Sequence, residues 1–373
     1  MKNTILSLMA LGSLSSSVFG AATLTPLSTF GGGDGWLSPE EYPILGTGNT
    51  TRGLAYNPAT GNLIVASRTG GTFLKALSGS NGSEVAGLDT TGISGGTFPI
   101  NMVTVSNDGA IFVGNLVAPA AGGPGSDFKI YRYANQGAAP AVWYQGQPVA
   151  GTVAGQANPT SIRTGDSLDI FGTGNALKIV AGHGTNPLLP GSNSYSIFQD
   201  ADGDATASVS TIDLGTATPS GEFRLGITFG LDDATVVGSV GTNGRLTTYS
   251  GTTGTLAGSV PFGAGERGLD VALVGGLPVL ATLDSNNSLV RVYDVSSPLT
   301  PTLLASANAT SGTLAGNTNG TVAVAWGAID GASAKLYAMS TNQGIQAFTF
   351  TVPEPTTAAF AALGLLGLLR RRR

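Results

Sequence analysis

A strand–turn–strand unit returns along most of this chain and leaves little room for helices. Its clearest copy is Arg52-Gly53-Leu54-Ala55-Tyr56-Asn57-Pro58-Ala59-Thr60-Gly61-Asn62-Leu63-Ile64-Val65-Ala66, two apolar runs split by a turn of Asn, Pro and Gly. Similar hairpins follow at 102–105 with 110–113, at 168–171 with 177–181, and at 225–229 with 234–237. Two more lie at 269–274 with 277–283 and at 321–326 with 335–339. The six starts fall near residues 53, 102, 168, 225, 268 and 321. Between residues 22 and 351, no window of a dozen residues has apolar positions at i, i+3, i+4 and i+7 uninterrupted by Gly or Pro. The expected fold class is all-β.

A second hairpin usually follows the first, as at 128–133 with 141–144, 195–198 with 207–212, and 289–292 with 302–305. Two hairpins per repeat make a four-stranded blade, and repeats of about 40–50 residues with four strands are the sequence pattern of a β-propeller. Closing the blades into a ring removes most of the edges that an open sheet would expose. The expectation is a single β-propeller of about six four-stranded blades. Residues 22–29 would lend the last repeat its fourth strand. The wide gaps leave room for a seventh blade. A parallel β-helix fits less well, because its repeat is much shorter.

Composition excludes several kinds of chemistry. Cys is absent and His183 is the single histidine, so thiolate sites, disulfides and His-cluster zinc sites are out. Lys2, Arg370–Arg373 and Glu354 lie in the two ends. The rest of the chain holds 12 of the 17 basic and 21 of the 22 acidic residues. A body this acidic is a poor nucleic-acid binder.

The two ends read as addresses. Lys2, a short apolar stretch at 5–14, and small residues up to Ala22 have the order of a secretory signal peptide, here residues 1–21. Residues 352–373 form a second tripartite unit. Pro353-Glu354-Pro355 comes first, then an apolar run at 358–369, then Arg370, Arg371, Arg372 and Arg373. The run is short of the roughly 20 residues that span a bilayer, and the arginines favour the cytoplasmic side. This end resembles the PEP-CTERM sorting signal of Gram-negative bacteria. The resemblance implies processing by signal peptidase and an exosortase, membrane contact through residues 356–369 before processing, and a final place on the outer cell surface or in an exopolysaccharide matrix. The propeller body would be residues 22–351. Its stretch from Arg52 to about Gly238 resembles the uncharacterised secreted DUF4623 family, through Arg52-Gly53-Leu54-Ala55-Tyr56-Asn57-Pro58, Ser67-Arg68, Gly95-Gly96-Thr97-Phe98 with Asp108-Gly109, and Arg163-Thr164-Gly165-Asp166-Ser167. That resemblance implies a propeller-like body and no particular activity.

Three constellations are candidate sites. Asp200, Asp202 and Asp204 alternate in a Gly-containing loop, a spacing that lets oxygen ligands curl round Ca²⁺, the one cofactor the sequence suggests. Gly203 precedes the third acid, and Thr206 and Ser208 stand where a further acid would complete such a site; the alternative is a solvated turn between two strands. Arg52, Arg224 and Arg267 precede the first strand of a repeat, with Arg163 nearby. On a ring of blades they would surround one channel mouth and bind an anion or a carboxylated sugar. The competing expectation is that they bridge neighbouring blades through carbonyls or through Asp166, Asp169 and Asp270. His183 reads as a solvated loop side chain, and no nucleophile elbow accompanies it. No catalytic residue is assigned. The expected function is a non-enzymatic structural, adhesive or binding protein that meets polysaccharide or surface proteins. The alternative is an extracellular hydrolase or lyase working at the channel mouth.

Overall fold

The computed structural model describes residues 21–118, 127–149, 162–184, 193–215, 217–218, 221–239, 243–263 and 265–353. They form 25 strands and three short 3₁₀ turns. Among them no helix is long and apolar enough to cross a membrane. The proposed signal peptide (apart from Ala21) and the C-terminal run after Pro353 lie outside the described residues.

The strands pair mostly with their sequence neighbours. One sheet joins β3 (Thr51–Asn57), β4 (Asn62–Ser67), β5 (Phe73–Ser78) and β6 (Glu84–Gly87) in that order. A second joins β7 (Phe98–Val105), β8 (Ile111–Leu116), β9 (Phe128–Tyr133) and β10 (Ala141–Gly146). An eight-stranded sheet contains two such runs. The first is β11 (Thr164–Phe171), β12 (Lys178–His183), β13 (Asn193–Gln199) and β14 (Ser208–Asp213). The other is β15 (Gly226–Phe229), β16 (Thr235–Ser239), β17 (Asn243–Ser250) and β18 (Thr253–Pro261). A single parallel residue pair, Asp213 with Thr253, joins them. The next sheet holds β19 (Glu266–Val274), β20 (Leu277–Asp284), β21 (Val290–Asp294) and β22 (Thr302–Ala307). The last holds β23 (Val322–Asp330), β24 (Ser333–Ser340) and β25 (Ile345–Thr351), with β1 (Thr23–Pro26) and β2 (Trp36–Leu37) both antiparallel to β25. The N-terminal strand therefore completes a sheet built from the end of the chain.

The arrangement is propeller-like. β3 packs against β7, β7 against β11, β11 against β15, β15 against β19, β19 against β23, and β23 back against β3. These first strands surround a cavity of about 610 Å³, and each of the six contributes to its wall. Burial peaks in the middle strands of each sheet and falls toward the outer ones. β8 is buried along its whole length, whereas β6 is exposed throughout and β18 alternates between exposed and half-buried up to the buried Val260. Middle strands, covered on both faces, read as continuous apolar runs; outer strands show the alternation of a half-wet sheet.

Local chemistry explains the close spacing. Gly109 adopts φ 88° in the turn between β7 and β8, a conformation costly for any residue with a Cβ. A Cβ on Gly226 would lie 1.7 Å from the Arg267 carbonyl oxygen, so the missing side chain sets how closely β15 and β19 approach. Aromatic pairs fill the wedges between sheets. Tyr144 meets Phe198 edge-on at 4.6 Å, and Tyr337 stacks on Tyr56 at 5.9 Å while its hydroxyl donates to the Gly79 carbonyl at 2.6 Å.

Candidate arginine mouth

The first strands all begin at one end of the axis, and the arginines gather there. Arg52 lies in β3, Arg163 stands just before β11, Arg224 two residues before β15, and Arg267 in β19. Asp166, fully buried on β11, is the shared counter-ion of Arg52, Arg163 and Arg224. Arg163 grips it with two N–H groups, Nη2 to Oδ1 at 2.8 Å and Nε to Oδ2. Arg52 Nη1 approaches it to 3.8 Å and Arg224 Nε to 3.9 Å, ion-pair distances too long for hydrogen bonds. Arg267 donates to the Gly320 carbonyl at 3.3 Å and feels the charge of Arg224.

Arg68 belongs to the same cluster, although the sequence pattern did not single it out as a site. It follows β4, and the pairing of Thr51 with Ser67 sets it beside the start of β3. Its guanidinium lies 3.5 Å from the centre of the Phe98 ring, with that of Arg52 at 5.1 Å from the same ring. Arg52 and Arg68 both donate to the Asn49 carbonyl, at 3.1 and 3.3 Å. The signal was in the quoted motifs, Ser67-Arg68 and Gly95-Gly96-Thr97-Phe98, but only the hairpin register brings them together.

Two carboxylates act on the five arginines, Asp166 on Arg52, Arg163 and Arg224 and Asp284 on Arg267. Burial and the neighbouring Arg52 push Arg68 down to about 10, and burial lowers Arg52 and Arg267 as well. Arg163, held by Asp166, is shifted the other way. Arg52 Nη1 and the Nε atoms of Arg68, Arg224 and Arg267 are buried without a hydrogen-bond partner among the described residues. Buried cationic donors are costly when unsatisfied. The Arg163 and Arg224 side chains are about one-third exposed, at 35% and 36%, so the cluster opens to solvent past them.

Other expectations come out differently. Asp169 and Asp270 do not bridge to the arginines; they line the axial cavity, because their strands continue past the mouth before reaching them. His183 is the last residue of β12 and fully buried, not a solvated loop side chain. Its ring nitrogens meet the Thr164 and Ser196 hydroxyls at 2.9 and 2.8 Å, and burial pushes its pKa down to about 3. The oxygens of Asp200, Asp202 and Asp204 lie within 4.8 Å of one another in an exposed loop. Two of them already clamp the turn. Asp200 accepts from the N–H of Gly203 at 2.8 Å and of Ala205 at 3.1 Å, and Asp204 accepts from the Thr206 N–H at 2.8 Å. In the sorting motif, Pro353 is the last described residue; Glu354, Pro355 and Arg370–Arg373 lie beyond.

Comparison with known proteins separates body from tail. The body is similar in fold to a crystal structure of a DUF4623 family protein from Bacteroides eggerthii, with a TM-score of 0.62 and 18% identity, over 90% of this chain and 77% of that one. It is also similar to the major allergen Mala s 1 of Malassezia sympodialis, with a TM-score of 0.50 and 13% identity, over 81% of this chain and 92% of the other. At these identities the likeness concerns fold alone. No curated protein matches the sequence. Residues 351–373 match the model of the PEP-CTERM protein-sorting motif. That motif implies export, C-terminal membrane anchoring before processing, and processing by an exosortase. The chain thus carries a PEP-CTERM sorting motif behind an all-β body with the fold of a solved DUF4623 protein.

Proposed function

We propose that the mature protein is a six-bladed propeller displayed outside the cell, where its arginine mouth binds acidic polysaccharide. The blade count is supported by the six first strands that pack in cyclic order round one cavity. The carrying observation for binding is the set of buried guanidinium N–H groups on Arg52, Arg68, Arg224 and Arg267 that have no hydrogen-bond partner among the described residues. Planar guanidinium donors match carboxylates in pairs, so a uronate is the ligand the cluster suits. Export by the N-terminal segment and sorting by the tail would bring the mouth to an exopolysaccharide. The rival hydrolase reading draws little support, since His183 bonds to Thr164 and Ser196 and does not line the cavity.

Calorimetric titration of the full chain with oligogalacturonate tests the reading. Saturable binding is expected, weakening as salt rises, with no comparable heat from neutral dextran. Arg224→Gln and Arg267→Gln should each weaken it about tenfold, the worth of one charge-assisted hydrogen bond. Binding unchanged in both variants would refute the site.

A second reading rests on the close approach of the three carboxylates in the 200–204 loop. Ca²⁺ would bind there in the roughly 10⁻⁴–10⁻³ M range of extracellular modules.

A further inference from the structure

The axial cavity holds two acids that the arginine mouth does not use. Asp169 on β11 and Asp270 on β19 both line it. Asp169 Oδ2 accepts from the Phe229 N–H at 2.7 Å and the Thr228 hydroxyl at 3.0 Å. Asp270 Oδ2 accepts from the Trp326 N–H at 2.7 Å. Each carboxylate thus satisfies a backbone donor on the next first strand round the ring. These donors are neutral. No Lys, Arg or His is among the residues that line the cavity, and neither acid forms an ion pair among the described residues. The contrast with Asp166, surrounded by three arginines, is complete.

Uncompensated carboxylates this deep resist ionisation. Burial pushes Asp169 up to about 6; burial and then the negative charge of Asp169 raise Asp270 well above the usual carboxylate range. The other titratable group on the wall is Tyr56, itself raised by burial. The rest of the wall mixes aliphatic side chains with the polar groups of Thr104, Ser106, Asn107 and Thr228. Toward the end away from the arginines, Leu231, Leu273 and Ile329 are 48%, 51% and 46% exposed and form an apolar rim on three successive strand ends. A cavity of about 610 Å³ whose wall carries two acids, a few neutral polar groups and an apolar rim has the size of a small-molecule site.

We propose that this channel binds an organic ammonium ion, its charge held by Asp169 and Asp270 and its apolar body lying against Leu231, Leu273 and Ile329. An ammonium ion supplies the counter-charge these carboxylates lack and so favours their ionised form, and the rim selects one with a hydrocarbon part. A bare divalent ion suits the site less well, since Ca²⁺ takes six to eight oxygens and each acid already has Oδ2 engaged by a backbone N–H. The site is independent of the arginine mouth, with opposite charge at the opposite end.

Calorimetry on the full-length chain at pH 7 tests this, with n-hexylammonium chloride, 1-hexanol and calcium chloride as parallel probes. Hexylammonium should saturate one site, with hexanol at least tenfold weaker. Asp169→Asn and Asp270→Asn keep an oxygen that accepts the backbone N–H, and each should weaken hexylammonium at least tenfold. Leu273→Ser, at the exposed rim, should weaken it several-fold without touching either acid. All three variants should still bind oligogalacturonate like the wild type if that reading holds, so the two sites fail separately. No saturable heat with hexylammonium, equal affinity in the Asp169→Asn/Asp270→Asn double variant, or calcium binding abolished in that variant and displacing hexylammonium would each overturn the proposal.

Discussion

At the residue scale, two kinds of buried ionisable group pull the pH dependence of stability in opposite directions. His183 is neutral in the native state, with a pKa near 3 against about 6.5 in the unfolded chain. Below pH 6.5 the unfolded chain takes up a proton that the native state refuses, so stability falls as pH drops from about 6.5 toward 3. Asp169 has the opposite sign: its native pKa near 6 exceeds the unfolded value of about 3.9, so its contribution is present at low pH and lost as pH rises through 6. Urea unfolding at pH 7 and pH 5 separates the two. The advantage of wild type over His183→Gln should shrink by about 2 kcal/mol at pH 5, while Asp169→Asn should gain on wild type as pH rises from 4 to 7. Gly226→Ala is a purely steric case. Its Cβ would collide with the Arg267 carbonyl, and the expected cost is roughly 3 kcal/mol, read as a lower urea midpoint with unchanged slope.

At the element scale, the hairpins were legible because each needs only local chemistry. Turn residues and apolar runs lie within a dozen positions of one another, as in Asn107-Asp108-Gly109 between β7 and β8. The burial of His183 was not legible. Gly182-His183-Gly184 looks like a loop, but β12 extends through His183 because β13 pairs alongside it and the Thr164 and Ser196 hydroxyls wait there. The closing strand tests the ring itself. Removing residues 22–30 takes away β1 and the fully buried Phe30, whose ring lies 6.0 Å from that of Tyr337. A loss of at least about 3 kcal/mol is expected, and thermal melting that matches the intact chain would argue against closure by this strand. For the 200–204 loop, Asp202→Ala separates ion from turn, since no hydrogen bond to Asp202 is formed among the described residues. Calcium should raise the melting temperature of the wild type and leave that variant unmoved.

At the scale of the whole molecule, the chain carries a C-terminal sorting motif, and its N-terminal segment is expected to direct export. The C-terminal arginines are costly to carry through hydrocarbon, so the apolar run at 358–369 favours a transient halt. The mature protein is expected to begin near residues 21–23 and to lack Arg370–Arg373. Intact-mass spectrometry of surface-associated protein from the native host checks this, and retention of all four arginines on most molecules would favour a plain membrane anchor.

Strand content, repeat order and the sorting motif could be read from the residues because each depends on neighbours in the chain: turns need local φ values, strands a local pattern, and the tail a contiguous motif. The site was only half visible. Arg52 and Arg267 stand in the same tripeptide, but nothing local says that Arg68 joins Arg52 over Phe98 or that Asp166 is the carboxylate that Arg52 shares with Arg163 and Arg224. Asp169 and Asp270 sit only three residues beyond such mouth residues, yet serve a different end of the axis. Successive side chains on a strand face opposite sides and each residue advances about 3.3 Å, so three positions suffice to move an acid from the mouth into the channel. Which carboxylate meets an arginine and which is left without a counter-charge follows from closing the first strands round one axis, a contact set spread across the whole chain.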